Sequence, residues 1–371
     1  MKKIIHILLL FFIFAGCSDK ITETNYLKIP LEEEIQLNSA LKVKIDPRIE
    51  LLSVVQHFTT WADAHHTKYE SRYKTEAQKY FNPYINHPAV KLSQQLTDEG
   101  FTYDAPATFV LYHSNPPAFE KVLEYSNYLI GRAGSNAKLE TFANELRNFA
   151  VETNFSLFLE TQKPYFIKIE NDIKGTIGNR DYIKLLEDYY GTKQNSYNII
   201  PASLFHAGGY GSIIKTAEGN NIYDICGPLG SSQGIPNFGD EGSFQYILLH
   251  EFSHSFVNST TEIFIQEVNR YNKLFEPIRA KMESLAYTTW ETCVNEHLVR
   301  INVARFFNQL KGAEEKNNIL KKEFDEGFIY IYDLDSLMQI YELNRIEYQT
   351  YVDFYPEILK YFENKINSKT K

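Results

Sequence analysis

Cysteine is scarce in this chain, three residues among 371, and that scarcity excludes a disulfide-built scaffold. Positive charge is not in excess either: 38 Lys and Arg stand against 47 Asp and Glu, a net charge of -9, so no basic stripe offers phosphate contacts and nucleic acid is not an expected partner. Beyond the first twenty positions no apolar run reaches the roughly 18 residues of a transmembrane helix. The sequence also lacks internal repeats and low-complexity tracts. It does contain 43% hydrophobic residues and 15% aromatics, enough to pack the core of one large domain or two modest ones.

Met1, Lys2 and Lys3 form a short positive segment before an apolar run from Ile4 to Phe14, the grammar of a secretory signal. Ala15-Gly16-Cys17 then resembles the bacterial lipobox, although Phe14 departs from its usual Leu; the resemblance implies cleavage before Cys17 and lipidation of that residue. The mature protein is then expected to be held to a membrane of the bacterial cell envelope by acyl chains, facing the periplasm or the cell surface. With Cys17 used in this way, Cys226 and Cys293 remain, too far apart in sequence for a CxxC knuckle and equally consistent with one bridge or two buried thiols.

Residues 18–45 are polar, without long periodicity, and read as a tether. Residues 46–190 read as mainly helical, on stripes such as Leu51, Leu52, Val55 and Phe58, interrupted by one strand-like run from Phe101 to Tyr112. Residues 191–371 read as a catalytic region, either continuous with that helical part or separate from it. In it Tyr197 to Leu204 is strand-like, Gly208 to Lys215 and Asn221 to Cys226 flank a turn and form a hairpin, and Ser243 is placed to cap a helix. After Asn258 the pattern is helical almost to the end. The expected fold is α+β and predominantly helical, with a small sheet preceding the helix that carries His250.

His250-Glu251-Phe252-Ser253-His254 places two imidazoles four residues apart, on one face of a helix, which is the geometry of a two-histidine metal clamp. Glu251 lies beside that pair, positioned to accept a proton from a metal-activated water. Val257 and Thr260 stand where a metzincin has Gly and a third His, so that branch is excluded. A carboxylate from a later helix is the remaining common third ligand, with Glu262, Glu267, Glu276, Glu283, Glu291 and Glu296 as candidates. On the wheel from Trp290 to Asn308, Glu291 shares a polar edge with Asn295 and Asn302, whereas Glu296 falls between Val303 and Phe307 on a buried arc, where a carboxylate needs a partner. That partner is either a metal or Arg300, one turn on; His297, on the same apolar side, is a weaker ligand candidate.

The HEFSH run followed by Asn295-Glu296 resembles the gluzincins. The resemblance implies a zincin-like core with zinc on His250, His254 and Glu296, Glu251 as general base, and a peptide or protein substrate. Arg300 departs from it, standing where the family has an Asp that orients a metal histidine. More broadly, Asp46 to Ser53, the HEFSH and NEHLVR segments and Asp353-Phe354-Tyr355-Pro356 resemble an uncharacterised bacterial lipoprotein family carrying a domain of unknown function. The glycines of His206-Ala207-Gly208-Gly209-Tyr210-Gly211 allow close approach of another backbone, and His206, Tyr210, Tyr351 and Tyr355 are candidates to stabilise an oxyanion. The sequence thus points to a membrane-tethered zinc metallopeptidase. A zincin-fold lipoprotein that binds without turnover, and a zinc hydrolase of a non-peptide amide, are the alternatives.

Overall fold

The computed structural model describes residues 35–38 and 40–368. The signal segment, Cys17 and most of the tether lie outside the described residues. Strand β1 (Ile35–Asn38) and strand β2 (Leu41–Val43) open the chain. Helices follow: α1 (Pro47–His57), α2 (Trp61–His65), α3 (Arg72–Phe81), α4 (Pro88–Asp98), α5 (Asp104–Val110), α6 (Asn127–Ala133), α7 (Asn136–Glu152), α8 (Phe155–Ile177) and α9 (Tyr182–Tyr190). Next come β3 (Ser196–Pro201), β4 (Gly208–Thr216), β5 (Gly219–Gly227) and a minor hairpin of β6 (Gly230–Ser232) with β7 (Ile235–Asn237). The remainder is helical: α10 (Glu241–Ile263), α11 (Ile265–Arg270), α12 (Arg279–Ser284), α13 (Trp290–Lys311), α14 (Ala313–Asp325), α15 (Ile331–Leu343) and α16 (Tyr351–Ser368). The architecture is α+β and predominantly helical, as the residue patterns predict.

The main sheet has the order β1-β2-β3-β5-β4. β2, β3 and β5 run parallel, while β1 and β4 are antiparallel to their neighbours and form the two edges. Residues 35–38 and 41–43 therefore belong to the sheet and not to a tether. The strand that β2 joins, at Tyr197–Ile199, lies about 150 residues away in sequence, so no local pattern announces it. In β2 the alternation is short but present, Leu41 and Val43 buried around a less buried Lys42.

The strand expected over Phe101 to Tyr112 is instead a helix, α5. Residues 105–112 are all buried, so the period-2 alternation of a half-exposed strand has no basis there, and a continuous apolar run cannot by itself tell strand from helix. α5 packs on β4, where Thr108 and Ser212 hydroxyls hydrogen-bond at 2.6 Å. One hydrophobic core extends from Leu41 through the N-terminal helices to Phe362. Cys226 and Cys293 are buried free thiols. Among the described residues no helix is long and apolar enough to cross a membrane.

Candidate metal centre

α10 begins at Asp240, whose carboxylate accepts from the Ser243 N–H; Asp240, not Ser243, is the cap, because its side chain reaches the free N–H groups of the first turn. Phe244, Leu248, Leu249, Phe252, Phe256 and Val257 bury one side of the helix. The other side is a partly buried stripe carrying His250, Glu251, His254 and Asn258 at helical spacing. α10 lies against β4 and β5 on one flank and against α13 on another. α13 is buried almost all round, so Glu296, only 7% exposed, must find its partners inside the protein.

Those partners are the two imidazoles. His250 Nε2 and His254 Nε2 lie 3.3 Å apart. Glu296 Oε2 is 3.7 Å from His250 Nε2, and Glu296 Oε1 is 3.5 Å from His254 Nε2. The edges of a tetrahedron with metal bonds of about 2.0–2.1 Å would measure about 3.3–3.4 Å. The separation of the two imidazole nitrogens matches such an edge, and with one oxygen of Glu296 all three donor atoms lie within 4.8 Å of one another, so the side chains can close on a zinc-sized ion; among the described residues they are the one group of three such donors. His254 Nδ1 lies 3.2 Å from Asn258 Oδ1, which places the proton on Nδ1 and leaves the Nε2 lone pair free for a metal. Burial, then His254 and Arg300, hold the His250 imidazole well below its usual range and therefore neutral. Its Nδ1 is buried without a hydrogen-bond partner in the protein.

Arg300 supplies the alternative partner as well: its Nε donates to Glu296 Oε2 at 3.2 Å. The ion pair and the histidine contacts coexist on one carboxylate. His297 is elsewhere, its Nδ1 2.7 Å from the Cys293 carbonyl oxygen and its ring against Phe328 and Tyr330. Glu291 is exposed, but Asn295 and Asn302, which the wheel sets on the same polar edge, are buried, because α13 is enclosed on that side as well.

Glu251 sits under the edge strand. A Cβ on Gly209 would come 3.1 Å from Glu251 Cγ, and one on Gly211 3.0 Å from Glu251 Oε2, so what these glycines admit is chiefly the Glu251 side chain and not, as their pattern suggests, another backbone. Burial raises the Glu251 carboxyl; His254 opposes that, Asp224 and Glu296 add to it, and a hydrogen bond from the Gly211 backbone pulls it back down. Asp224, on β5 opposite Gly211, is fully buried, and neither of its oxygens has a hydrogen-bond partner. Burial raises its carboxyl too. The residue patterns did not single out Asp224, yet a signal was available: it is the one acid within an apolar strand, on the face shared by Ile222 and Cys226.

The oxyanion candidates separate. Tyr210 and Ser212 project from the face of β4 opposite Gly209 and Gly211, because side chains alternate along a strand, so Tyr210 points away from Glu251. Its hydroxyl is 2.7 Å from Nε2 of His206, which stands just before the strand. Tyr355 is fully buried with its hydroxyl 2.7 Å from that of Thr261, and Tyr351 is buried among Tyr190, Tyr341 and Tyr355. Both belong to the core.

The family model described as a domain of unknown function (DUF4932) matches residues 41–361. No curated protein and no solved structure matches the chain.

Proposed function

The chain belongs to the DUF4932 family, and from the geometry of its centre we propose that it is a gluzincin-like zinc metallopeptidase that hydrolyses peptide bonds. The observation that carries this reading is the convergence of the three side chains: His250 Nε2 and His254 Nε2 stand 3.3 Å apart, and each faces a different oxygen of the Glu296 carboxylate, at 3.7 and 3.5 Å, a grouping suited to a tetrahedral metal. A bound zinc ion supplies Lewis acidity toward a carbonyl and toward water. The protein's own residues supply the rest. Glu251 accepts a proton from the attacking water and returns it to the leaving amine, a task suited to a carboxyl whose proton affinity is raised by burial. Gly211, without a Cβ, lets the edge strand stand close against that carboxyl. His250 and His254 would hold the metal through their Nε2 atoms, and Glu296 would close the set through its carboxylate. Lipid on Cys17 would tether this body to a membrane of the cell envelope, and its substrates would be peptides or proteins outside the cytoplasm.

The test combines metal content with cleavage of unstructured peptides. Wild-type protein is expected to bind one zinc. Glu251→Gln keeps the metal and loses roughly 10²-fold or more in turnover. His250→Ala and Glu296→Ala lose metal and activity together, whereas Glu291→Ala changes neither. Turnover unchanged in Glu251→Gln would remove the mechanism, and zinc content unchanged in both ligand variants would remove the centre.

A further inference from the structure

Position 300 is where the sequence leaves the gluzincin pattern, and the structure surrounds it with contacts. The Arg300 Nε donates to Glu296 Oε2 at 3.2 Å, its Nη1 to Glu323 Oε2 at 2.5 Å and its Nη2 to the Tyr287 hydroxyl at 3.2 Å. Its guanidinium also lies over the Phe328 ring, 4.2 Å from the centroid. Glu323, from α14, is fully buried, and its other oxygen accepts from the Tyr246 hydroxyl at 2.7 Å. Tyr246 lies one turn before His250 on α10 and stacks on its ring with an interplanar angle of 18°. The contacts form a closed circuit: His250, Tyr246, Glu323, Arg300, Glu296 and back to His250.

This circuit treats the two oxygens of Glu296 differently. Oε2 is shared between the Arg300 Nε at 3.2 Å and His250 Nε2 at 3.7 Å, while Oε1, 3.5 Å from His254 Nε2, is the oxygen that the guanidinium does not hold. A carboxylate with both oxygens free can occupy two coordination positions of a metal; one whose second oxygen is held by a guanidinium occupies one. Arg300 cannot easily swing away, because three polar partners and an aromatic face hold it, and withdrawing it would leave the buried Glu323 with the Tyr246 hydroxyl but without a cation.

We propose that Arg300, braced by Glu323, is a positioning residue that confines Glu296 to ligation through Oε1 and so keeps one coordination position of the metal open. The inference rests on the zinc reading of the centre. It gives Arg300 the place of the missing Asp by a different route: the partner orients the carboxylate ligand instead of a histidine.

The test is structural and thermodynamic, independent of turnover. Crystals of the zinc-loaded wild type should show Oε1 at bonding distance and Oε2 on Arg300. The double variant Arg300→Gln/Glu323→Gln removes one positive and one negative charge, so the buried charge balance is kept. It should show Glu296 rotated or bound through both oxygens, and chelator competition should show zinc affinity reduced roughly 10- to 100-fold. Arg300→Lys, which keeps the charge but cannot span Glu296, Glu323 and Tyr287 as a planar fork, should also weaken zinc binding. Two Glu296 oxygens on zinc in the wild type, or unchanged ligation and affinity in both variants, would overturn the role of Arg300 while leaving the centre intact. A wild type that takes up no zinc at His250 and His254 would overturn the centre itself and this role with it.

Discussion

Gly209 lies directly against Glu251: a Cβ on the glycine would meet Glu251 Cγ at 3.1 Å and Asp224 Oδ1 at 3.0 Å. Both separations are tighter than ordinary carbon contacts of about 3.5–4.0 Å. The edge strand therefore acts as a wall for the proposed general base, and its lack of side chains at 209 and 211 sets how close that wall can stand.

Gly209→Ala should displace the Glu251 carboxyl while leaving His250, His254 and Glu296 in place. Zinc content is expected to stay at the wild-type level and turnover to fall by roughly tenfold or more, since misplacing a catalytic group by about 1 Å can cost about 10²-fold. Gly209→Val, with more bulk at the same place, should also destabilise the fold by about 1–3 kcal/mol. Wild-type turnover in both would show that the wall does not position Glu251.

Removing metal should lower thermal stability through linkage, because the three ligands converge only in the folded chain. Zinc at about 100 times its dissociation constant contributes about 2.7 kcal/mol, a melting-temperature rise of several degrees that a chelator should abolish. His254→Ala should show no such zinc-dependent rise. An equal rise in that variant would place the zinc elsewhere.

A pH dependence is expected from Glu50, far from the metal centre in its contacts. This residue is fully buried on α1, and burial raises its carboxyl to about 8, with the hydrogen bond from Tyr73 opposing and Asp46 adding. Its folded value lies above its ordinary one of 4.5, so the native state holds the proton that the unfolded chain releases. The associated stability is complete below about pH 4.5 and is lost as pH rises toward about 8. Glu50→Gln, an uncharged mimic of the protonated side chain, should lose less stability than wild type between pH 5 and pH 8. Denaturant melts of both proteins at the two pH values check this, and parallel losses would exclude Glu50 as the source.

Tyr355→Phe and Tyr351→Phe should leave peptide cleavage within about twofold of wild type, because both hydroxyls lie in the core. Tyr355→Phe deprives the buried Thr261 hydroxyl of its 2.7 Å partner and should cost about 1 kcal/mol of stability. A large loss of turnover with unchanged stability would return Tyr355 to the list of catalytic groups.

The residues that local order determines were legible before any coordinates. Two histidines four apart on an apolar helix must share a face, a glycine-rich strand must permit close approach, and a carboxylate between Val303 and Phe307 must be buried. Each follows from the covalent chain and the period of one element. The hairpin of β4 and β5 was equally readable, because its strands and turn are contiguous. The fully buried run around α5 was not, since a segment without polar neighbours loses the alternation by which helix and strand are told apart.

Only tertiary structure could decide what depends on contacts between distant elements. That β1 and β2 join the sheet depends on β3, far along the chain. That Glu296 faces both imidazoles while also holding Arg300 depends on how α13 packs against α10, and the same packing sends His297 into the core. Asp224 comes to Glu251 only because α10 lies across the sheet, and Glu323 comes to Arg300 only because α14 folds back on α13. Periodicity specifies which face of an element a side chain occupies. Which face of another element it meets is set by the packing of the whole core, a cooperative property that no single segment carries.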